Sequence, residues 1–163
     1  VHYPSLFLAL TLYTLTNTAF AEPLSYTTYT NTAAEFSLAI PQEVLYPQGE
    51  ADNPLKQEFK SADNLAVLSV FAHGGHDETI DKIYQKALHP SDQAERVVTY
   101  KKLGSNWFVI TGFKNEEVYY TKMILSPNDG MVKGFYFHYP KLDKQVYDPI
   151  TIKLSKTLRE YPN

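Results

Sequence analysis

The fold is decided by residues 104–140, which read GSNWFVITGFKNEEVYYTKMILSPNDGMVKGFYFHYP. Three runs rich in Trp, Phe, Tyr, Val and Ile lie in this stretch, and short polar segments separate them, as is typical of consecutive β-strands. The second separator, SPNDG at residues 126–130, combines a proline that presets φ with a glycine that accepts a left-handed conformation. The stretch therefore predicts an antiparallel meander of three strands. In the last of them, alternation places Phe135 and Phe137 on one face and Tyr136 and His138 on the other.

The flanking sequence adds further strands and two helices. Residues 35–40, 57–61, 65–72 and 96–103 have strand-like patterns, and 65–72 is apolar on both faces, as expected for a central strand. Residues 22–34 are interpreted as a flexible lead-in or a loosely held edge, and 42–54 as a loop. Apolar residues recur at helical spacing over 78–89, with Asp77 as candidate N-cap, and a second helix is predicted to start at Asp148-Pro149. The predicted class is α+β, with a central antiparallel sheet of about six strands and two main helices packed on it.

The N-terminal end has the composition of a targeting segment. Residues 1–21 contain no Asp, Glu, Lys or Arg, and an apolar run is followed by Ala19-Phe20-Ala21, a pattern typical of a cleaved secretory signal. The apolar run of about ten residues is half of the roughly 20 needed to cross a bilayer. We therefore expect residues 1–21 to be a signal peptide and residues 22–163 to form a single domain, with no transmembrane span after cleavage.

Composition narrows the classes of partner and the cellular compartments that the chain could have. The chain carries 15 Lys and Arg against 18 Asp and Glu, a net charge of −3, and no cysteine. Such a chain has no basic stripe for phosphates, so nucleic acid is not an expected partner. The absence of cysteine removes disulfides, thiolate nucleophiles and thiolate metal ligands. Together with the predicted signal, this composition favours a periplasmic or secreted bacterial protein.

Several runs resemble the PsbP-like superfamily. They are EFSLAIP, LAVLSVFA, and the series WFVITGFKNEEVYYTKMIL, GFYFHYP and YDPI. The sequence is most similar to small exported bacterial members without an assigned role. The superfamily takes its name from an extrinsic photosystem II subunit and also includes a Ran-binding nuclear transport factor. The resemblance implies an antiparallel sheet with packed helices and an accessory or binding role without catalysis. It supplies no catalytic residues, and the superfamily's metal contacts have no matching motif here.

One local cluster has the residue types of a metal site, His73-Gly74-Gly75-His76-Asp77. Two imidazoles and a carboxylate suit Zn²⁺ or Mn²⁺, although the spacing differs from the helical H-E-x-x-H motif. The alternative interpretation is a solvated loop whose glycines turn the chain and whose Asp77 caps the following helix. Apart from this candidate divalent metal, no cofactor is expected.

Aromatic residues indicate the candidate binding site. The chain holds 13 Tyr, 9 Phe and 1 Trp, and aromatic side chains are enriched in protein interfaces. Trp107, Tyr119 and His138 are predicted to line a sheet face or an adjacent groove. No G-x-S-x-G elbow, phosphate loop or dinucleotide motif occurs, so no catalytic residues are predicted.

The leading interpretation is an exported, non-catalytic binding or accessory protein that acts on another envelope protein. One alternative is a metal-binding protein or metal-dependent enzyme that uses His73, His76 and Asp77. Another is an inhibitor or immunity protein directed against a cell-wall effector. The sequence does not name the partner.

Overall fold

The computed structural model describes residues 23–49, 52–75, 77–90 and 95–161. The predicted signal peptide and His76 lie outside the described residues. The described part contains ten strands, two α-helices and one short 3-10 helix. In chain order these are β1 (Tyr26–Asn31), β2 (Phe36–Pro41), β3 (Tyr46–Pro47), β4 (Lys56–Lys60), β5 (Val67–Gly74), α1 (Ile80–Leu88), β6 (Arg96–Leu103), β7 (Trp107–Lys114), β8 (Glu117–Leu125), β9 (Met131–Pro140), the 3-10 helix (Lys141–Asp143), α2 (Lys144–Thr157) and β10 (Arg159–Glu160).

The main sheet is antiparallel and contains the predicted meander. Its strand order is β3-β4-β5-β9-β8-β7-β6, and every neighbouring pair is antiparallel. Gly130 closes the turn between β8 and β9 with a φ of +67°, the left-handed conformation expected for this position. The α+β class, the antiparallel sheet and the two helices are confirmed.

The predicted count of about six central strands is not exact. The two-residue strand β3 lies in the segment that was predicted as a loop, and it extends the main sheet to seven strands. Strand β2 belongs instead to a second sheet of three strands, in the order β1-β2-β10. The segment predicted as a flexible lead-in or a loosely held edge thus contains β1, an edge strand of this sheet. Strand β1 pairs along the whole of β2, and β10 pairs with Phe36 and Ser37 on the other side. The side chains of β2 are nearly all buried.

Helices and the small sheet cover the main sheet from two sides. On one side, called the α2 face, helix α2 and the small sheet pack over Leu68, Phe135 and Phe137, which are 0% exposed. On the other side, called the α1 face, helix α1 packs over Phe108 and Ile110. Alternation along each strand assigns neighbouring side chains to opposite faces. The α2 face holds the larger core, because more buried apolar side chains cluster there than on the α1 face.

Helix α1 starts later than predicted. It begins at Ile80, and the Thr79 side chain is its N-cap. The predicted cap, Asp77, lies two residues earlier with a φ of +57°. The Glu78 amide donates to the Gly75 carbonyl oxygen at 2.9 Å, which closes a separate turn before the helix. The prediction of Asp77 as N-cap is therefore wrong.

Helix α2 starts earlier than predicted. The 3-10 helix Lys141–Asp143 continues directly into α2 at Lys144, so Pro149 lies inside the helix rather than at its first position. Asp148 does not cap the helix, because its carboxylate accepts a hydrogen bond from the Tyr139 hydroxyl at 2.7 Å. Within the described ranges, no helix combines the length and apolarity needed to cross a membrane.

Candidate functional site

Helix α1 covers only half of its face of the sheet. Ile83 and Tyr84 pack over the β7 side, where the Tyr84 ring centroid lies 5.4 Å from that of Phe108. Over β4 and β5 the same face has an open cleft of about 940 Å³. On the neighbouring strand β9 it carries the half-buried side chains of Tyr136 and His138. We call the side chains that define this region the open patch: Glu58, Phe71, His73, Glu117, Tyr136 and His138.

Aromatic rings form the centre of the open patch. Phe71 and His73 are two residues apart on β5 and stack, with ring centroids 6.1 Å apart and planes at 15°. Tyr136 and His138 have the same spacing on β9, with centroids 5.7 Å apart. Strands β5 and β9 are hydrogen-bonded neighbours, and side chains at such diagonal positions are close enough to form one surface. The four rings therefore lie on one face of two neighbouring strands and form the aromatic strip of the patch.

Charged side chains border this strip. A Glu117 carboxylate oxygen lies 3.2 Å from Nδ1 of His138. At the other side, a Glu58 carboxylate oxygen lies 2.9 Å from Nζ of Lys60. Both pairs are partly exposed, so they contribute little to stability. An aromatic centre with a polar border is the usual composition of a protein-binding surface.

Two of the three predicted binding residues meet at the open patch. Tyr119 and His138 are directly opposite each other on β8 and β9. Tyr119 is 2% exposed, and the guanidinium carbon of Arg96 lies 5.3 Å from its ring centroid. Burial raises the pKa of the Tyr119 hydroxyl, against the opposing effect of the Arg96 charge. Tyr119 thus lies buried beside the patch on the same face of the sheet, while His138 belongs to the patch surface.

Trp107, the third predicted residue, lies on the opposite side of the sheet. It pairs with Ile124, which packs against the core of the α2 face. Its ring is half-buried between two cations, with Lys102 Nζ at 5.6 Å and Lys122 Nζ at 5.9 Å from the centroid. The structure therefore does not join Trp107 to His138 in one site.

Phe71 and Tyr136 are the patch residues that sequence reasoning missed. The run LAVLSVFA was interpreted as apolar on both faces, yet Phe71 shares its face with Ser69 and His73. A serine and a histidine at alternate positions of one strand are the signal that this face is not fully buried. On β9, Tyr136 shares a face with His138 in the same way.

The predicted metal-binding residues lie at the end of β5 and in the following turn. His73 is exposed, and its Nδ1 lies 2.9 Å from the Gly74 carbonyl oxygen. Asp77 is exposed in the turn before α1. Among the described residues, no group of three or more His, Cys, Asp or Glu side chains is arranged to hold a metal ion. The predicted set includes His76, so a Zn²⁺ or Mn²⁺ site here stays a prediction.

A second polar cluster lies between α2 and the sheet, beside a cleft of about 230 Å³. The Tyr139 hydroxyl donates to Asp148 at 2.7 Å and accepts from Thr151 at 3.3 Å. Lys144 Nζ lies 3.0 Å from the other Asp148 oxygen. Burial of Tyr139 raises the pKa of its hydroxyl, and the neighbouring Asp148 adds to the effect. Because each group is already satisfied within the cluster, its role is to fasten α2 to the sheet.

Comparison with known proteins identifies the architecture. No model of a known protein family matches the chain, and no curated protein sequence matches it. Cyanobacterial PsbP (CyanoP) from Synechocystis sp. PCC 6803 superposes with a TM-score of 0.60 at 12% identity, over 90% of this chain and 99% of that chain. The Ran-binding protein Mog1p of Saccharomyces cerevisiae superposes with a TM-score of 0.60 at 5% identity, over 85% of this chain and 96% of that one. The chain therefore has the PsbP-like fold, as its sequence resemblance predicts.

Proposed function

We propose that this chain is an exported, non-catalytic binding protein that acts on another envelope protein through the open patch. The observation that carries the proposal is the half of the α1 face that helix α1 leaves uncovered. There Phe71 lines a large cleft, Tyr136 lies on the neighbouring strand β9, and paired charges lie at the border. Aromatic side chains in such a setting provide much of the binding energy of protein interfaces.

The titratable groups of the patch support binding more than catalysis. His138 is paired with Glu117, which is itself partly exposed on the edge of the patch. The hydrogen bond of this pair joins the His138 imidazole to a carboxylate and not to a hydroxyl or amine nucleophile. A nucleophile held by a base is the minimal arrangement for covalent catalysis. The pair instead orients the imidazole ring beside Tyr136.

The fold is compatible with this role. A PsbP-like fold also occurs in a protein named for binding Ran, at 5% identity to this chain. Such low identity transfers no interface residue, because function depends on the site and not on the fold. The export step of the proposal rests on the composition of residues 1–21.

Capture from the source cell envelope tests the proposal. The tagged chain would be cross-linked to its partners, and the products identified by mass spectrometry for the wild type and for Phe71→Ala/Tyr136→Ala. A matched control is Val146→Ala/Ile152→Ala, which removes two exposed apolar side chains from α2, the helix on the opposite face of the sheet. We expect one stoichiometric partner with the wild type and the control, and its loss with the patch variant. Equal capture by all three chains would contradict the proposal.

A further inference from the structure

Strand β6 forms one edge of the main sheet. It spans eight residues, Arg96–Leu103, and pairs with β7 on its inner side. On its outer side no strand of the described chain is present. Every second backbone N–H and C=O of an edge strand points away from the sheet, and eight residues extend over about 26 Å. The edge therefore offers outward-facing main-chain hydrogen-bonding groups to an added strand.

The side chains of this edge are the types that favour strand pairing. Val97, Val98 and Tyr100 are 60%, 36% and 52% exposed, and β-branched and aromatic residues are preferred in strands. Exposed apolar side chains on both sides of an edge strand give an added strand something to pack against. This combination is unusual for an edge that only faces water.

The same edge is cationic in an acidic protein. Strand β6 contains Arg96, Lys101 and Lys102 and no acidic residue, although the whole chain has a net charge of −3. Glu95 precedes the strand and is exposed. On the α2 face, Lys102 and Lys122 flank the half-buried ring of Trp107. A segment added at this edge would therefore meet positive charge and an aromatic ring together.

A second copy of this chain does not fit the edge. Pairing β6 with β6 would bring six cations and no carboxylate into one strand pair, and like charges this close repel each other. A β-bulge between Val98 and Tyr100 bends the edge, and an added strand of any origin meets this bend. It is accommodated by Gly112, where a Cβ atom would lie 1.9 Å from the Val97 carbonyl oxygen. Charge complementarity thus favours an acidic occupant from another protein.

We infer that the β6 edge binds an extended, acidic segment of a partner protein as an added β-strand. Its main-chain groups pair with the outward backbone of β6. Its carboxylates lie near Lys101 and Lys102, and its apolar residues pack on Val97 and Tyr100. This mode gives affinity through main-chain bonds and selectivity through alternate side chains. The surface is separate from the open patch, so either assignment can fail without the other.

Peptide selection on the full chain tests this inference. A display library of random ten-residue peptides would be selected against the immobilised protein. The enriched peptides would then be measured on Lys101→Glu/Lys102→Glu and on the control Lys82→Glu/Lys156→Glu, which makes the same charge change at exposed helical positions. We expect acidic peptides to be enriched and to bind about tenfold more weakly to the edge variant than to the control.

Backbone pairing is tested on the peptide, which leaves the protein unchanged. N-methylation at every second residue removes alternate N–H donors, and two such peptides, methylated at odd or at even positions, represent the two phases. In an added strand, only one of these two sets of N–H groups faces β6. We expect one phase to abolish binding and the other to leave it within about twofold, with amide hydrogen exchange slowed in β6. Failure to enrich acidic peptides, equal binding to both variants, or equal effects of the two methylation phases would overturn the inference.

Discussion

Tyr119 and His138 face each other across strands β8 and β9, but only one of them is accessible. Tyr119 is 2% exposed, whereas the His138 side chain is 28% exposed and is paired with Glu117. Both side chains lie on the α1 face, because directly opposite residues of an antiparallel pair share a face. The half-buried Tyr136 ring lies between them, stacked on Tyr119 and 5.7 Å from the His138 ring centroid.

Removal of the Lys133 side chain is expected to destabilise the protein strongly. Lys133 is 2% exposed, and its Nζ lies 2.8 Å from Asp129 and 2.8 Å from Glu160, which joins β10 to the main sheet. We expect Lys133→Ala to lower the free energy of unfolding by about 2–4 kcal/mol, because two carboxylates lose their partner. Urea denaturation measures this change. The exposed control Lys156→Ala should stay within about 0.5 kcal/mol of the wild type.

Asp129 is expected to make folding sensitive to acid. Partial burial acts to raise the pKa of Asp129, but hydrogen bonds from Lys133 and the Met131 amide outweigh it and hold that pKa below its usual value. The pKa of Asp129 is lower in the folded state than the value of about 3.9 expected in the unfolded state. The carboxylate therefore stabilises the fold fully above the unfolded pKa, and this stabilisation is lost as the pH falls through the folded pKa. Unfolding free energies should therefore fall more steeply below about pH 4 in the wild type than in Asp129→Asn. Parallel pH profiles would contradict this assignment.

The Tyr139 hydroxyl is expected to matter more than that of Tyr120. Tyr139 is 1% exposed and donates to the carboxylate of Asp148 at 2.7 Å, whereas the half-buried Tyr120 donates to the Ser155 hydroxyl at 2.8 Å. A bond to a charged acceptor contributes more than one to a neutral acceptor. We expect Tyr139→Phe to cost about 1.5–3 kcal/mol and Tyr120→Phe about 1 kcal/mol. Thermal and urea unfolding of the two variants would show the order.

Gly134 is expected to tolerate no side chain. A Cβ atom at this position would lie 2.4 Å from the Lys122 carbonyl oxygen and 3.1 Å from the Met123 Cα, both backbone atoms of β8. Gly134→Ala should therefore separate β8 from β9 and lower stability by more than about 2 kcal/mol. The control is Gly49→Ala, where nothing lies within 4 Å and only the φ of +60° is unfavourable, at a cost of about 1 kcal/mol. Equal costs would show that the close approach is relieved by a shift of the strands.

The metal alternative has its own direct measurement. The chain would be stripped with a chelator, reloaded with Zn²⁺ or Mn²⁺, and analysed for bound metal as wild type and as His73→Ala/His76→Ala. A site at these residues requires metal in the wild type and its loss in the variant, since imidazole nitrogens would be the main ligands. Equal metal content in both chains would remove this alternative.

The sequence predicted the strands and helices better than it predicted which parts of the sheet the helices cover. Alternation placed Phe135 and Phe137 opposite Tyr136 and His138, and this division is confirmed. It did not show that helix α1 covers only the β7 side of its face, because coverage depends on where a helix packs across the sheet. For that reason Phe71 was taken for a core residue. Nor did residue types alone show that β1 would pair with β2, since that pairing depends on the rest of the fold.

Site-specific photocross-linking in the source cell tests the open patch most directly. A photoreactive phenylalanine derivative would replace His73, which is exposed within the patch, or Leu142, which is 96% exposed outside it. If the open patch binds the partner, we expect one cross-linked product of defined mass, containing an envelope protein, from position 73 and none from position 142. The absence of a product at position 73, or equal products from both positions, would contradict the assignment of the open patch as the binding surface.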